Sequence, residues 1–592
     1  MDCRGYERVA RTCALSLLAA VAALALLASS AFALTISPLN GTPDASPDAQ
    51  ISFLGAPANE ISDVAVVGSR SGGHRGKLRS YASATGASFV PARGFSEGER
   101  VTVSALVGAR GHTSRVGTSF TVARLVSYPL PPAATPPAAK PGANQSFVSQ
   151  PKLQPPSVSI TTTTPSAAIN SDIFLTTDSN YGQNGAMIIN AAGRLIWFQP
   201  AAKGDAIEDL QAQSYAGQPV LTYWQGHIDL GVGFGSDQIL GTNYRPVASV
   251  TAGNGYYADL HELKLTPQGS AYLSAYTLVR ADLSSVGGSS DGALQDAVVQ
   301  QVDVKTGLVM FEWHAYGHVA LTDSYAKSPS DPNRPWDFFH LNSISLDPWG
   351  DGNFLISSRN TWTVYEIDDQ SGSILWRIGG KHSSFRMGAG TGTAYQHDAR
   401  WQPDHTITIF DNGAVPNAHS QSRAIHEKID FKHRTVDLLG RDVRTPPLLS
   451  GSQGDNQVQP NGNVFVGWGE DPYFTEFNSA GQIVLDGHLP APAQVYRALR
   501  FDWSATPASP PAIALKSEAA STTVYASWNG ATAVAAWRVL AGPTPATLSA
   551  VAQAPSSGFE TAIAAPSTAP VFAVQALGAG GELLGSSHAI AR

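Results

Sequence analysis

With 592 residues, 43% of them hydrophobic and only 14% charged, the chain can bury several cores and is too apolar to be disordered throughout. A net charge of -8 lacks the basic excess of a nucleic-acid binder and speaks to solubility rather than to partners. The 56 Gly and 39 Pro lie among short Val-, Ile-, Thr- and aromatic-rich runs with almost no helical periodicity, which predicts an all-β protein.

Residues 1–33 have a basic start, an apolar run from about Cys13 to Leu27, and Ala31-Phe32-Ala33 before Leu34. This pattern predicts an export signal and a secreted or extracytoplasmic mature protein, with cell-surface association open and no stable membrane insertion once the leader is removed. Cys3 and Cys13 both lie in the leader, so packing rather than disulfides must stabilise the mature chain. Residues 34–126 contain short strands punctuated by Gly, Pro, Ser and Asp, as in a small Ig-like β-sandwich; His74 and His112 read there as solvated loop residues. Residues 127–156, with PLPPAATPPAAKPG, read as a Pro-rich linker or arm.

From 157 to 505 a repeat appears. GQPVLTYW at 217, GSAYLSAY at 269, GNFLISSR at 352, HTITIFDN at 405 and GNVFVGWG at 462 are each preceded by another strand and followed by an Asx/Gly turn and a hydrophobic strand. A four-stranded unit of about 50 residues is a propeller-blade period. Six blades are expected, closed by residues 495–503. Residues 506–592 predict a fibronectin type III-like sandwich, with Trp528 and Trp537 as core anchors.

In such a ring the start of each innermost strand lies beside the end of the next strand. His261, His340 and His397 begin first strands, whereas Trp224, Tyr276, Arg359 and Asn412 end second strands. One mouth would therefore carry three imidazoles, a guanidinium, an amide and aromatics. Asn342 could bridge blades; Asp398 and Glu262 could orient a ring or pair across blades; Asp411 and Asn412 read as turn formers. Trp468 could be a channel wall that stacks on a flat substrate, and Tyr276 and Trp224 are placed with it as substrate-binding. The remaining histidines, His314 among them, read as solvated surface. Neutral imidazole is a nucleophile, and Arg offers a fork of donors to sulfate or phosphate oxygens. Three histidines could instead hold a metal, although Arg359 disfavours a cation there.

FFHLNSISLDPWGDGNFLISSRNTWTVYEID, with YQHDARW and FDNG, resembles the bacterial arylsulfotransferases that need no phosphoadenylyl sulfate, over roughly 160–503. The Ala/Pro/Ser-rich style and the fibronectin-like end are similar to an actinobacterial-type branch. The resemblance implies transfer of a sulfuryl group from a phenolic sulfate ester to a phenol through a sulfated histidine, with no cofactor and no metal. It places the nucleophile at His397, sulfuryl-oxygen contacts at His340, Asn342 and Arg359, and another pocket histidine at His261, with His261 or His340 moving the phenolic proton. A metal-dependent lyase or hydrolase and a non-catalytic extracellular binding protein are the competing readings.

Overall fold

The computed structural model describes residues 34–109, 112–128, 142–178, 182–350 and 352–592. The expected leader and the Pro-rich stretch 129–141 lie outside the described residues. Among those residues the protein is all β, with short 3-10 turns and no helix long and apolar enough to cross a membrane.

Between residues 157 and 503 lie six antiparallel sheets, five with four consecutive strands and one with three consecutive strands and a fourth from later in the chain, some carrying an extra edge strand. Their innermost strands are Ala206–Tyr215, Leu263–Leu265, Leu341–Leu346, His397–Trp401, Asp455–Val458 and Ala498–Phe501. Each touches the next, and the last touches the first, so the sheets close into a ring. The first sheet takes its inner strand from the chain's later part, Ala498–Phe501 against Asp172–Thr177, while Ser159–Thr162 is added to the outer edge of the sixth. Strands from both ends of the segment thus interlock the circle and protect an exposed edge.

The repeated turn before each outer strand has a common cause. Asn190, Asp368 and Asn478 each accept backbone N–H bonds from residues two to four further on, and Asp303 accepts from Thr306. Each turn then closes on a glycine in the left-handed region, Gly193, Gly372, Gly481 or Gly307. β-branched and aromatic side chains from facing sheets fill the space between, as with Leu355, Ile378, Trp401 and Ile409.

Residues 34–122 form two four-stranded sheets around a shared core that includes Phe53, Phe89, Val103 and Phe120. This unit sits on the outer strand of the third ring sheet, where Ser52 and Ser88 hydroxyls donate to the Met310 and Val309 carbonyls. His74 is not a solvated loop residue: it is buried, its ring lies 4.5 Å from that of Phe95, and its Nε2 bonds Ser71 Oγ. His112 opens the strand His112–Thr121 instead of lying in a loop. Residues 512–591 form two further sheets whose core holds Trp528 and Trp537. Asn529 joins them to the first ring sheet by exchanging bonds with the Phe198 backbone.

Candidate active site

His261 and His340 stand just before their inner strands, and His397 opens its own. The backbone is irregular at these entries. His340 has φ +55° and Asp398 +54°, and the ladders shift register between Leu341 and Ser343 and between His397 and Arg400. Such bulges re-aim side chains that a regular strand would bury against the neighbouring sheet.

Each imidazole has its Nδ1 held. His261 Nδ1–H donates to Asp259 Oδ2 at 2.7 Å, and Asp259 is itself fixed by Gly233 N–H and Ser274 Oγ. His340 Nδ1–H donates to Asp337 Oδ2 at 2.5 Å, and Arg359 Nη2 reaches the same oxygen at 3.3 Å. His397 Nδ1–H donates to Asn412 Oδ1 at 2.7 Å; the Asn412 amide is oriented by donating to the Ser450 and Gln453 carbonyls. Three held Nδ1 atoms leave three Nε2 atoms for chemistry, because the partner of one ring nitrogen sets the tautomer. Among these, His397 Nε2 accepts only the long Gln453 N–H, at 3.2 Å.

The rings of His261 and His340 meet edge to face with centroids 4.9 Å apart. Burial pushes His397 well below the usual imidazole value against the pull of Asn412, and the positive field of Arg359, His340 and His261 adds to that. Burial and then Arg359 push His340 down to about 4, outweighing Asp337. Burial opposes ionisation of Asp337 and Asp259, but their histidine partners prevail and hold both carboxyls below the usual range. At neutral pH, His340 and His397 are thus uncharged imidazoles beside a permanent guanidinium.

The three histidines are buried, and Arg359 at 17% side-chain exposure is the part of the set nearest solvent. Its guanidinium carbon lies 4.5 Å from the Tyr395 ring centroid. The turn at Gly231 covers His340: a Cβ there would stand 3.5 Å from its Cε1.

Other expected residues fall elsewhere. Asn342 is fully buried and donates to the Gln396 carbonyl at 2.7 Å, tying the fourth sheet to the residue before His397, while its Oδ1 has no partner. Tyr276 donates its hydroxyl to Leu341 O and lies 6.2 Å, centroid to centroid, from both His261 and His340, so it is a wall with its polar tip occupied. Trp224 is enclosed: its Nε1 bonds Ala258 O, and Gly226, Gly233 and Gly235 leave room for its ring. Trp468 is likewise enclosed, bonded to Thr475 Oγ1 and packed on Phe410. Neither tryptophan presents a free face to a substrate. Trp224 and Tyr276 also lie midway along their strands, because Gln218–Asp229 and Ser270–Ala281 run for 12 residues each.

Asn412, read from sequence as a turn former, is the residue that sets the His397 tautomer. Asp259 and Asp337 were missed, though a signal existed: Asp-Leu-His and Asp-Phe-Phe-His both place a carboxylate just ahead of an inner-strand histidine. Asp398 and Glu262 do not orient rings. They join a second layer in which Arg400 pairs with Glu262 and Asp398, and Arg497 with Asp209 and Glu262. Among the described residues, the three-residue group whose donor atoms lie within 4.8 Å of one another is Asp44, Asp296 and His314, not the imidazole set.

Residues 211–489, which contain all three imidazoles, Asn342 and Arg359, match the family model described as Arylsulfotransferase (ASST), and this supports the arylsulfotransferase family. No curated protein matches. Similar solved structures include a Bacteroides caccae protein of unknown function, 13% identical over 56% of this chain and 98% of its own, with a TM-score of 0.35. A quinoprotein alcohol dehydrogenase-like protein of Bacteroides thetaiotaomicron is 9% identical over 80% and 98%, TM-score 0.27. The aldose sugar dehydrogenase of Escherichia coli is 12% identical over 56% and 99%, TM-score 0.24. These scores are too low to carry any chemistry across.

Proposed function

We propose that the ring is a six-bladed propeller, flanked by an Ig-like and a fibronectin type III-like sandwich, and that it is an exported aryl-sulfate sulfotransferase with His397 as nucleophile. The observation that carries this reading is the His397 tautomer: Nδ1–H is committed to Asn412, which puts the lone pair on Nε2, in the field of Arg359 and two further imidazoles and held only by the long Gln453 N–H, which a substrate must displace.

In the first half-reaction, Nε2 attacks the ester sulfur. The N–S bond forms, the aryl O–S bond breaks, and the phenolate leaves with the bonding pair. Arg359 faces the sulfuryl oxygens, whose charge is spread over the periphery as in phosphoryl transfer. Burial and, after it, the Arg359 field hold His340 neutral, and the bound anion offsets the second of these. His340 Nε2 then takes the acceptor phenol's proton, and Asp337 on its Nδ1 stabilises the imidazolium that forms. The acceptor oxygen attacks sulfur, the N–S bond breaks, and His397 returns to its starting tautomer. When a phenolate of high basicity leaves, the same His340 returns the proton.

The test is phenol-dependent release of 4-nitrophenolate from 4-nitrophenyl sulfate by the chain without residues 1–33, compared with His397→Ala. Release that needs phenol and vanishes in the variant is expected. Release that persists in the variant removes His397 from its role. Export is checked by N-terminal sequencing of protein recovered outside the cytoplasm, with Leu34 expected as the first residue.

A further inference from the structure

Where the N-terminal double sheet meets the ring, five polar side chains are buried together. Asp44 comes from the loop between Thr35–Ser37 and Ile51–Leu54. Asp296 lies in Gly292–Asp303, Glu312 and His314 lie in Val309–His314, and Tyr256 precedes the third sheet. All are at most 9% exposed. His314 was expected at the surface, but it is enclosed by carboxylates. Its Nδ1 stands 2.9 Å from Asp296 Oδ2 and 3.2 Å from Asp44 Oδ1, and its Nε2 stands 3.0 Å from Glu312 Oε1.

Polar satisfaction is uneven within this cluster. Glu312 is fully engaged: Asn254 and Gln300 donate to its Oε2, and its other oxygen faces His314 Nε2. Asp296 Oδ1 accepts the Tyr316 N–H. Neither oxygen of Asp44 accepts a hydrogen bond, and the Tyr256 hydroxyl, buried with its ring 6.4 Å from that of His314, has no partner. A buried carboxylate without donors is costly unless a positive charge stands against it. His314 has one Nδ1 for two carboxylates, so an imidazolium satisfies one of them and leaves the other.

We propose that Asp44, Asp296 and His314 Nδ1 bind a divalent cation of the zinc or manganese type. Their donor atoms lie within 4.8 Å of one another, so one ion can reach all three. One imidazole and two carboxylates suit a first-row divalent ion better than calcium, which prefers an all-oxygen shell. Glu312 supplies the outer partner that metal-binding histidines need, accepting Nε2–H so that Nδ1 carries the free lone pair. Binding releases the proton that otherwise sits between His314 and Asp296. The ion joins a loop of the N-terminal unit to the third sheet and is separate from the imidazole pocket, so its role is to clamp the two units together.

The experiment uses the chelator-treated chain without residues 1–33, titrated with zinc chloride or manganese chloride and, for comparison, calcium chloride and magnesium chloride. Heat of binding, elemental analysis after desalting, and apparent Tm are read. One equivalent of zinc or manganese and a Tm that climbs with metal concentration are expected. Asp44→Asn and Asp296→Asn should abolish the high-affinity equivalent, while Glu312→Gln should weaken it about 10- to 100-fold. The proposal is overturned if folded wild-type protein binds no equivalent and its Tm does not move. It is equally overturned if Asp44→Asn binds as the wild type does, or if calcium and magnesium bind as tightly as zinc and manganese. The wild-type titration decides the matter even if a variant does not fold.

Discussion

The centre of the ring holds two polar layers that differ in what they are built to do. In the upper layer, His261, His340 and His397 are each fixed through Nδ1 by a residue from their own sheet or the segment leading into it: Asp259, Asp337 and Asn412. In the lower layer, charges are shared between sheets: Arg497 from the closing segment meets Asp209 of the second sheet and Glu262 of the third, and Arg400 of the fifth meets Glu262 too. Local fixing orients a nitrogen and leaves its other face free for a reaction. Shared pairing joins charges from different sheets and ties the ring shut. Neighbouring positions of the inner strands thus give a reactive set in one layer and a staple in the other.

Removing one member of each layer should have the largest effects. His397→Ala should lower transfer by about 10⁴-fold or more with little change in Tm, because no sheet-to-sheet ion pair depends on it. Arg497→Leu should do the reverse, costing about 3–5 kcal/mol of stability as buried carboxylates lose their partner, measured by denaturant unfolding. If His397→Ala unfolded the ring, or Arg497→Leu left stability intact, the division of labour would fail.

Asn412→Ala should cost roughly 100-fold in kcat, because His397 can then adopt the tautomer that protonates Nε2. The effect should fall mainly on kcat rather than KM.

The layers should also answer to pH in different windows. His340 has a folded value of about 4, below its ordinary one, so the unfolded chain binds the extra proton as pH falls. Stability is therefore present above the ordinary imidazole value and declines from there down to about 4, by up to roughly 3 kcal/mol for this group. Glu262 is held far below the usual carboxylate range: burial opposes this, but Arg400, Arg497 and Lys264 prevail. Its stabilisation is full above the usual carboxylate value and is lost only in stronger acid. His340→Asn should reduce the slope of unfolding free energy against pH in the upper window, leaving the part that His397 contributes, and leave the lower window unchanged.

The smallest effect expected is for Trp468→Phe. It removes the bond to Thr475 and some packing against Phe410, costing about 1–2 kcal/mol of stability with KM unchanged. A large rise in KM would restore Trp468 as a substrate platform.

What could be read from the chain follows from this geometry. The repeated strand pairs, the Asx/Gly turns and the three histidines at equivalent points were visible, because period and position survive in one dimension. The tryptophans were misplaced because a strand of 12 residues carries Trp224 past the mouth and into a pocket made by three glycines. Asn412 looked like a turn residue because FDNG is also a good turn, and only the fold shows that its amide meets His397. Arg497 was invisible as a staple, since Asp209 and Glu262 lie more than 200 positions earlier and pair with it only when the ring closes. His314 looked exposed because outer strands normally are, yet the N-terminal unit covers that one.

The most direct measurement is an acceptor-free reaction: the protein is mixed with 4-nitrophenyl sulfate, nitrophenolate release is followed, and the quenched chain is digested for mass spectrometry under conditions that preserve N–S bonds. A burst of one equivalent and a single SO₃ group on the peptide carrying His397 are expected. Both should be absent in His397→Ala and restored to turnover by phenol in the wild type. A burst that survives in His397→Ala, or an SO₃ group found on any other residue, would contradict the role of His397 as nucleophile.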